Sequence, residues 1–183
     1  MEDSQIYAQT VIDLRRGLDL LASLSSVDKN RMAYVGHSYG AQFGAILGAV
    51  EDRIRTLILI GGTPDLACMY LKSDDPDIRV FRKAYAKDQI EAYLREVGRF
   101  DAIHFIRSAA PKPILFQFAR FERFFGEADM LRYADAAGEP KTVIFYNTGH
   151  ELNDHQAFID RALWLKREVG MKALPEINRT RNR

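Results

Sequence analysis

The sequence predicts an α/β fold with a mostly parallel sheet of about four strands flanked by helices. Short apolar runs alternate with segments of helical periodicity along the chain. The run Leu57-Ile58-Leu59-Ile60 is continuous rather than alternating, as a strand covered on both faces requires. At 183 residues, 47% of them apolar, the chain suits one domain of 1–183 with an insertion.

The elements follow in order. Over 6–25, Val11, Leu14, Leu18 and Leu21 recur at steps of three and four, with Asp13, Arg16 and Asp19 on the opposite side. This is the pattern of an amphipathic helix. A polar loop over 25–30 leads into a short apolar strand, Met32-Ala33-Tyr34-Val35, and directly into Gly36-His37-Ser38-Tyr39-Gly40. A helix over 39–50 places Gly40, Gly44 and Gly48 on one face. Each costs about 1 kcal/mol of propensity relative to Ala, so the compensation expected is close approach to a sheet. Further strands are expected over 54–62, 113–118 and 142–146. A last helix is expected to bury Phe158, Ala162, Leu165 and Val169, and a frayed polar tail over 175–183 follows. The long interval 63–112 is helically patterned through Ile90, Tyr93, Leu94 and Val97, which fits a helical cap over the carboxyl ends of the sheet.

Several function classes are disfavoured at once. With 26 Lys and Arg against 25 Asp and Glu, a net charge of +1 gives no electrostatic case for nucleic acid. A single cysteine, Cys68, builds neither an intrachain disulfide nor a cysteine zinc site. No H-E-x-x-H, P-loop or dinucleotide glycine pattern occurs, so no metal and no cofactor are expected. The first residues lack the basic start and apolar core of a signal peptide, and no apolar run is long enough for a membrane span. A cytoplasmic location is the resulting expectation.

The chemistry concentrates at G-x-S-x-G. Between an apolar strand and a glycine-spaced helix, this pentapeptide predicts a sharp turn that forces Ser38 into an uncommon backbone conformation and projects its oxygen above the sheet. The Tyr39 backbone N–H then sits at a helix start, where it serves as an oxyanion donor. Four histidines are available as the base. His37 adjoins the serine and does not easily reach its hydroxyl, His104 lies in the cap, and His155 sits on a polar helix start. His150, in Thr148-Gly149-His150-Glu151 after the last predicted strand, is placed over the same sheet edge as Ser38. The acid must fall between Ser38 and His150 if the chain order is serine, acid, histidine. Glu122, in the loop after 113–118, is the first choice; Asp129 and Asp101 are substitutes, and surface pairing of Glu122 with Arg120 or Arg123 is the competing role.

These residues, in this order, resemble the α/β-hydrolase family, and more narrowly its dienelactone hydrolase-like and prolyl-oligopeptidase-like esterases. The resemblance rests on the elbow Val35-Gly36-His37-Ser38-Tyr39-Gly40-Ala41, the stretch from Pro113 to Glu122, and Thr148-Gly149-His150-Glu151. It implies a serine esterase acting on small or medium carboxylic esters, with Ser38 as nucleophile, His150 as base and Glu122 as acid, where such relatives usually carry Asp. A cysteine nucleophile of the dienelactone type is disfavoured, because the elbow holds Ser38 and Cys68 lies in the cap. The residues do not separate an esterase from a thioesterase or peptidase. Relatives have several strands before the helix that opens this sequence, so the chain resembles the carboxyl-terminal part of the fold. The elbow strand then becomes a sheet edge, and the usual second oxyanion donor is lacking. A homodimer or larger assembly through that edge is expected. The alternative is a catalytically weak or inactive hydrolase fold retained as a binding module. The cap aromatics Tyr70, Phe81, Tyr85, Tyr93, Phe100 and Phe105 are candidates for an apolar pocket, with packing inside the cap the expected role for most.

Overall fold

The computed structural model describes residues 3–172; the polar stretch 175–183 lies outside the described residues. Four strands, β1 (Met32–His37), β2 (Ile54–Ile60), β3 (Ile114–Phe121) and β4 (Lys141–Gly149), form one parallel sheet in the order β1-β2-β3-β4. The elbow strand β1 is an edge, as expected from the sequence. The helices are α1 (Asp3–Ser23), α2 (Tyr39–Val50), α3 (Leu66–Lys72), α4 (Pro76–Ala84), α5 (Lys87–Val97), α6 (Glu127–Ala136) and α7 (His155–Val169).

The continuous apolar strands divide their side chains between two layers. Leu57, Leu59, Ile114, Phe116 and Phe118 pack with α1, α2 and α6 residues. Ile58, Ile60, Leu115 and Ala119 turn the other way, onto Ala157 and Trp164 of α7. On the α7 side, Trp164 Nε1–H donates to Thr56 Oγ1 at 2.8 Å, and Gln117 Nε2 donates to Tyr146 and to the Ala157 carbonyl, while Gln117 Oε1 is buried with no partner among the described residues. Arg31, just before β1, donates to the Val169 and Gly170 carbonyls and ties the end of α7 to the start of the sheet.

The glycine face of α2 does bring that helix close to the sheet. A Cβ on Gly44 would lie 2.6 Å from the Tyr34 ring and 2.7 Å from Leu59, and one on Gly48 would lie 2.8 Å from Leu57. Gly40 is different, since its Cβ would meet nothing closer than the Tyr34 hydroxyl at 3.8 Å.

Between β2 and β3, α3, α4 and α5 and three short 3-10 turns build the cap. It is fastened near the carboxyl ends of the strands. Arg123, after β3, pairs with Asp75 at 2.6 Å and Asp77 at 2.9 Å, and Arg132 of α6 pairs with Asp65 at the start of α3. Phe100 and Phe105 pack against the main core.

Other expectations need correction. Leu21 is exposed, so the buried stripe of α1 ends at Leu18. In α7 the buried face is Ala157, Ala162 and Trp164, while Phe158 is exposed under the Arg161 guanidinium at 4.4 Å. β3 and β4 run three residues past the expected ends, and α6 was not anticipated at all.

Candidate active site

The elbow joins β1 to α2 within one residue. Ser38 has φ 56° and ψ −118°, a left-handed conformation that costs a residue with a β-carbon about 1–3 kcal/mol. Three features hold it there. Its N–H donates to the Ile60 carbonyl at 2.8 Å, its carbonyl accepts from Ala41 N–H at 2.9 Å, and Tyr34 Oη–H donates to the Gly40 carbonyl at 2.7 Å. Gly36 supplies the room, because a Cβ there would collide with the Gly40 carbonyl oxygen.

Each of the other two side chains follows the end of a strand. Glu122 comes directly after β3 and His150 directly after β4. The Glu122 side chain is 1% exposed. Its Oε1 accepts from Phe124 N–H at 3.0 Å and its Oε2 from His150 Nδ1–H at 2.7 Å. That second bond sets the tautomer: with the proton on Nδ1, the Nε2 lone pair faces Ser38 Oγ at 3.0 Å and accepts its proton. The Phe124 ring meets the imidazole edge-on at 4.8 Å, and His37 Nε2–H donates to the His150 carbonyl at 2.8 Å. Beyond His150, buried Leu152 takes φ 46°, and its N–H closes the turn onto the Gly149 carbonyl at 3.0 Å.

The structure therefore brings Ser38, His150 and Glu122 together across sequence separations of 112 and 28 residues. The substitutes lie elsewhere. Asp129 pairs with Arg132 and Lys72, and Asp101 accepts from Leu66 N–H at the cap base. The arginines that competed for Glu122 are otherwise engaged, Arg123 with Asp75 and Arg120 over the Phe145 ring. His104 and His155 are both exposed. Two contributors escaped the sequence reading, the His37 bond to the His150 main chain and the Phe124 wall. Adjacency to Ser38 and to Glu122 was their only signal.

The Tyr39 N–H, first in α2, has no acceptor among the described residues and faces outward as the open end of the helix dipole. Cys68 is buried 2.6 Å from Thr63 Oγ1, and burial pushes its thiol up to about 12, which keeps it protonated and unreactive. Among the described residues, no cluster of His, Cys, Asp and Glu is placed to hold a metal ion, and no helix is long and apolar enough to cross a membrane.

Asp101 gives the cap a pH dependence. Burial raises its carboxyl to about 6, and the Leu66 N–H opposes the rise. The fold thus prefers the neutral acid; that stabilisation is present in the ordinary carboxylate range and lost as pH rises through about 6. Asp101→Asn keeps an acceptor for Leu66 and removes the titration. Chemical denaturation should show the variant more stable than wild type by about 1–2 kcal/mol near pH 7.5, after allowance for partial solvation, with the advantage shrinking towards pH 5. A difference independent of pH would contradict this.

No family model matches the chain, and no curated protein matches it by sequence. Solved structures do match in shape. The chain is similar to the 2,6-dihydroxy-pseudo-oxynicotine hydrolase at 16% identity and a TM-score of 0.69, covering 88% of this chain and 47% of that one. It is similar to an acetyl xylan esterase from Paenibacillus sp. R4 at 19% identity and a TM-score of 0.70, covering 88% and 53%. An alpha/beta hydrolase from Penicillium sp. sh18 matches at 13% identity and a TM-score of 0.70, covering 90% and 73%. The chain thus spans about half the length of the first two. At these identities the likeness is one of fold: four parallel strands flanked by helices in the α/β-hydrolase arrangement.

Proposed function

We propose that the protein is a serine esterase that cleaves small or medium carboxylic esters through an acyl-enzyme. The observation that carries this reading is the two-bond relay Glu122–His150–Ser38 ending on a strained elbow. In this mechanism Ser38 Oγ attacks the ester carbonyl while His150 Nε2 takes its proton. Glu122 holds Nδ1–H and balances the imidazolium that forms. The Tyr39 N–H stabilises the tetrahedral oxyanion. Collapse breaks the bond to the alcohol, which leaves with the proton from His150. A water, deprotonated by His150, then attacks the acyl-enzyme and returns Ser38 as the free hydroxyl. The test is hydrolysis of p-nitrophenyl acetate beside the Ser38→Ala variant. Turnover by the wild type alone is expected; equal, near-background rates would overturn the reading.

The same reading includes self-association of two copies through β1. Among the described residues no strand pairs with the outer side of this edge strand, Val35 on it is 47% exposed, and an apolar cleft of about 630 Å³ runs beside it, walled by Leu14, Leu18, Leu21 and Tyr34. Unpaired edges template strand pairing with another chain. Light scattering at tens of micromolar (about the range for such contacts) should give twice the 20.9 kDa chain mass. Val35→Lys should restore the single mass, and a monomeric wild type would contradict the proposal.

A further inference from the structure

The cap holds a concave feature that the relay does not use. Tyr70, Phe81, Tyr85, Gln89, Ile90 and Tyr93 surround a cleft of about 420 Å³, within the range of small-molecule sites. Its walls are mainly rings at varied angles: Tyr70 to Phe81 at 4.9 Å, Phe81 to Tyr85 at 5.0 Å, and Tyr70 edge-on to Tyr93 at 6.1 Å. One wall is coupled to the elbow. Tyr70 Oη lies 3.2 Å from Tyr39 Oη. Tyr39 therefore spans two places, with its N–H beside Ser38 and its hydroxyl against the cleft wall. Burial raises both the Tyr7 and Tyr39 phenols, so these hydroxyls stay neutral and provide both donors and acceptors.

We propose that this cleft is the subsite for an aromatic ring carried by the ester substrate, an inference that deepens and rests on the assignment of Ser38 as nucleophile. The physical case is the lining. Aliphatic rings of matched size gain only from area removed from water, whereas an aromatic ring also gains edge-to-face and offset contacts with Tyr70, Phe81, Tyr85 and Tyr93. Such contacts correspond to about a three- to tenfold preference.

The ring belongs either to the alcohol or to the acyl side, and matched substrates separate the two. Benzyl acetate is compared with cyclohexylmethyl acetate, and methyl phenylacetate with methyl cyclohexylacetate, so that each pair releases a primary alcohol or methanol and differs in the ring. In one pair the aromatic member is expected to have a KM about three- to tenfold lower with kcat little changed. Phe81→Leu, and separately the exposed Tyr85→Leu, should bring that ratio towards one. Calorimetry of the same four esters with Ser38→Ala reads binding without turnover. Turnover with equal KM values in both pairs overturns the subsite and leaves the esterase reading intact. No turnover, with the aromatic members still binding preferentially, overturns the esterase reading and supports the cleft as an aromatic site. No turnover and equal binding overturns both.

Discussion

Ser38→Ala is expected to lower kcat on p-nitrophenyl acetate by about 1000-fold or more. Ser38 Oγ makes the covalent bond, and removing the nucleophile from a fully equipped serine hydrolase costs about 10⁶-fold. Among the described residues the Tyr39 N–H is the one oxyanion donor proposed, and a second such donor would contribute about 100- to 1000-fold. The difference leaves about 10³–10⁴ between wild type and variant. Alanine also has a β-carbon and meets the same strain at φ 56°, so the elbow geometry should persist and circular dichroism should be unchanged. A residual rate within tenfold of wild type would mean that the hydrolysis does not pass through Ser38.

The second large effect is expected from Glu122→Gln, with a loss of about 10³–10⁴ in kcat. The reason is the direction of two hydrogen bonds. Oε1 accepts from Phe124 N–H and Oε2 accepts from His150 Nδ1–H. A glutamine keeps one acceptor. If its oxygen stays on Phe124, its NH₂ faces Nδ1 and forces the ring proton to Nε2, where it can no longer accept from Ser38. The negative charge that balances the imidazolium is lost as well. Steady-state kinetics should show the loss mainly in kcat, with KM changing far less. Glu122→Asp should retain more activity than Glu122→Gln, because it keeps the charge and withdraws it by one methylene. A Glu122→Gln enzyme close to wild type would remove Glu122 from the mechanism.

What was legible in the sequence is what short-range sterics determine. The elbow could be read because Gly36 must lack a β-carbon opposite the Gly40 carbonyl, and because a strand ends where a helix begins. The parallel sheet was legible in the unbroken apolar run 57–60, which feeds both layers. What failed depends on neighbours remote in sequence. The register of α7 was misread because Phe158 finds an arginine at the surface, leaving the core to Ala157 and Trp164. β3 and β4 were read short because Arg120, Phe121 and Asn147 continue the strands with exposed side chains. α6 was missed because it buries only Met130, Tyr133 and Ala134, too few positions for a clear period. Ser38, Glu122 and His150 could be nominated from chain order, but their contacts are made by three strand ends that only the sheet brings together.

The central claim is that the Ser38 oxygen is an activated nucleophile, and a covalent probe addresses it directly. The native protein should be treated with a fluorophosphonate and its intact mass measured, alongside Ser38→Ala and a heat-denatured sample. One adduct per chain, mapped to Ser38 and absent from both controls, is the expected result. A native protein that stays unmodified, or one labelled equally in Ser38→Ala, would contradict the claim.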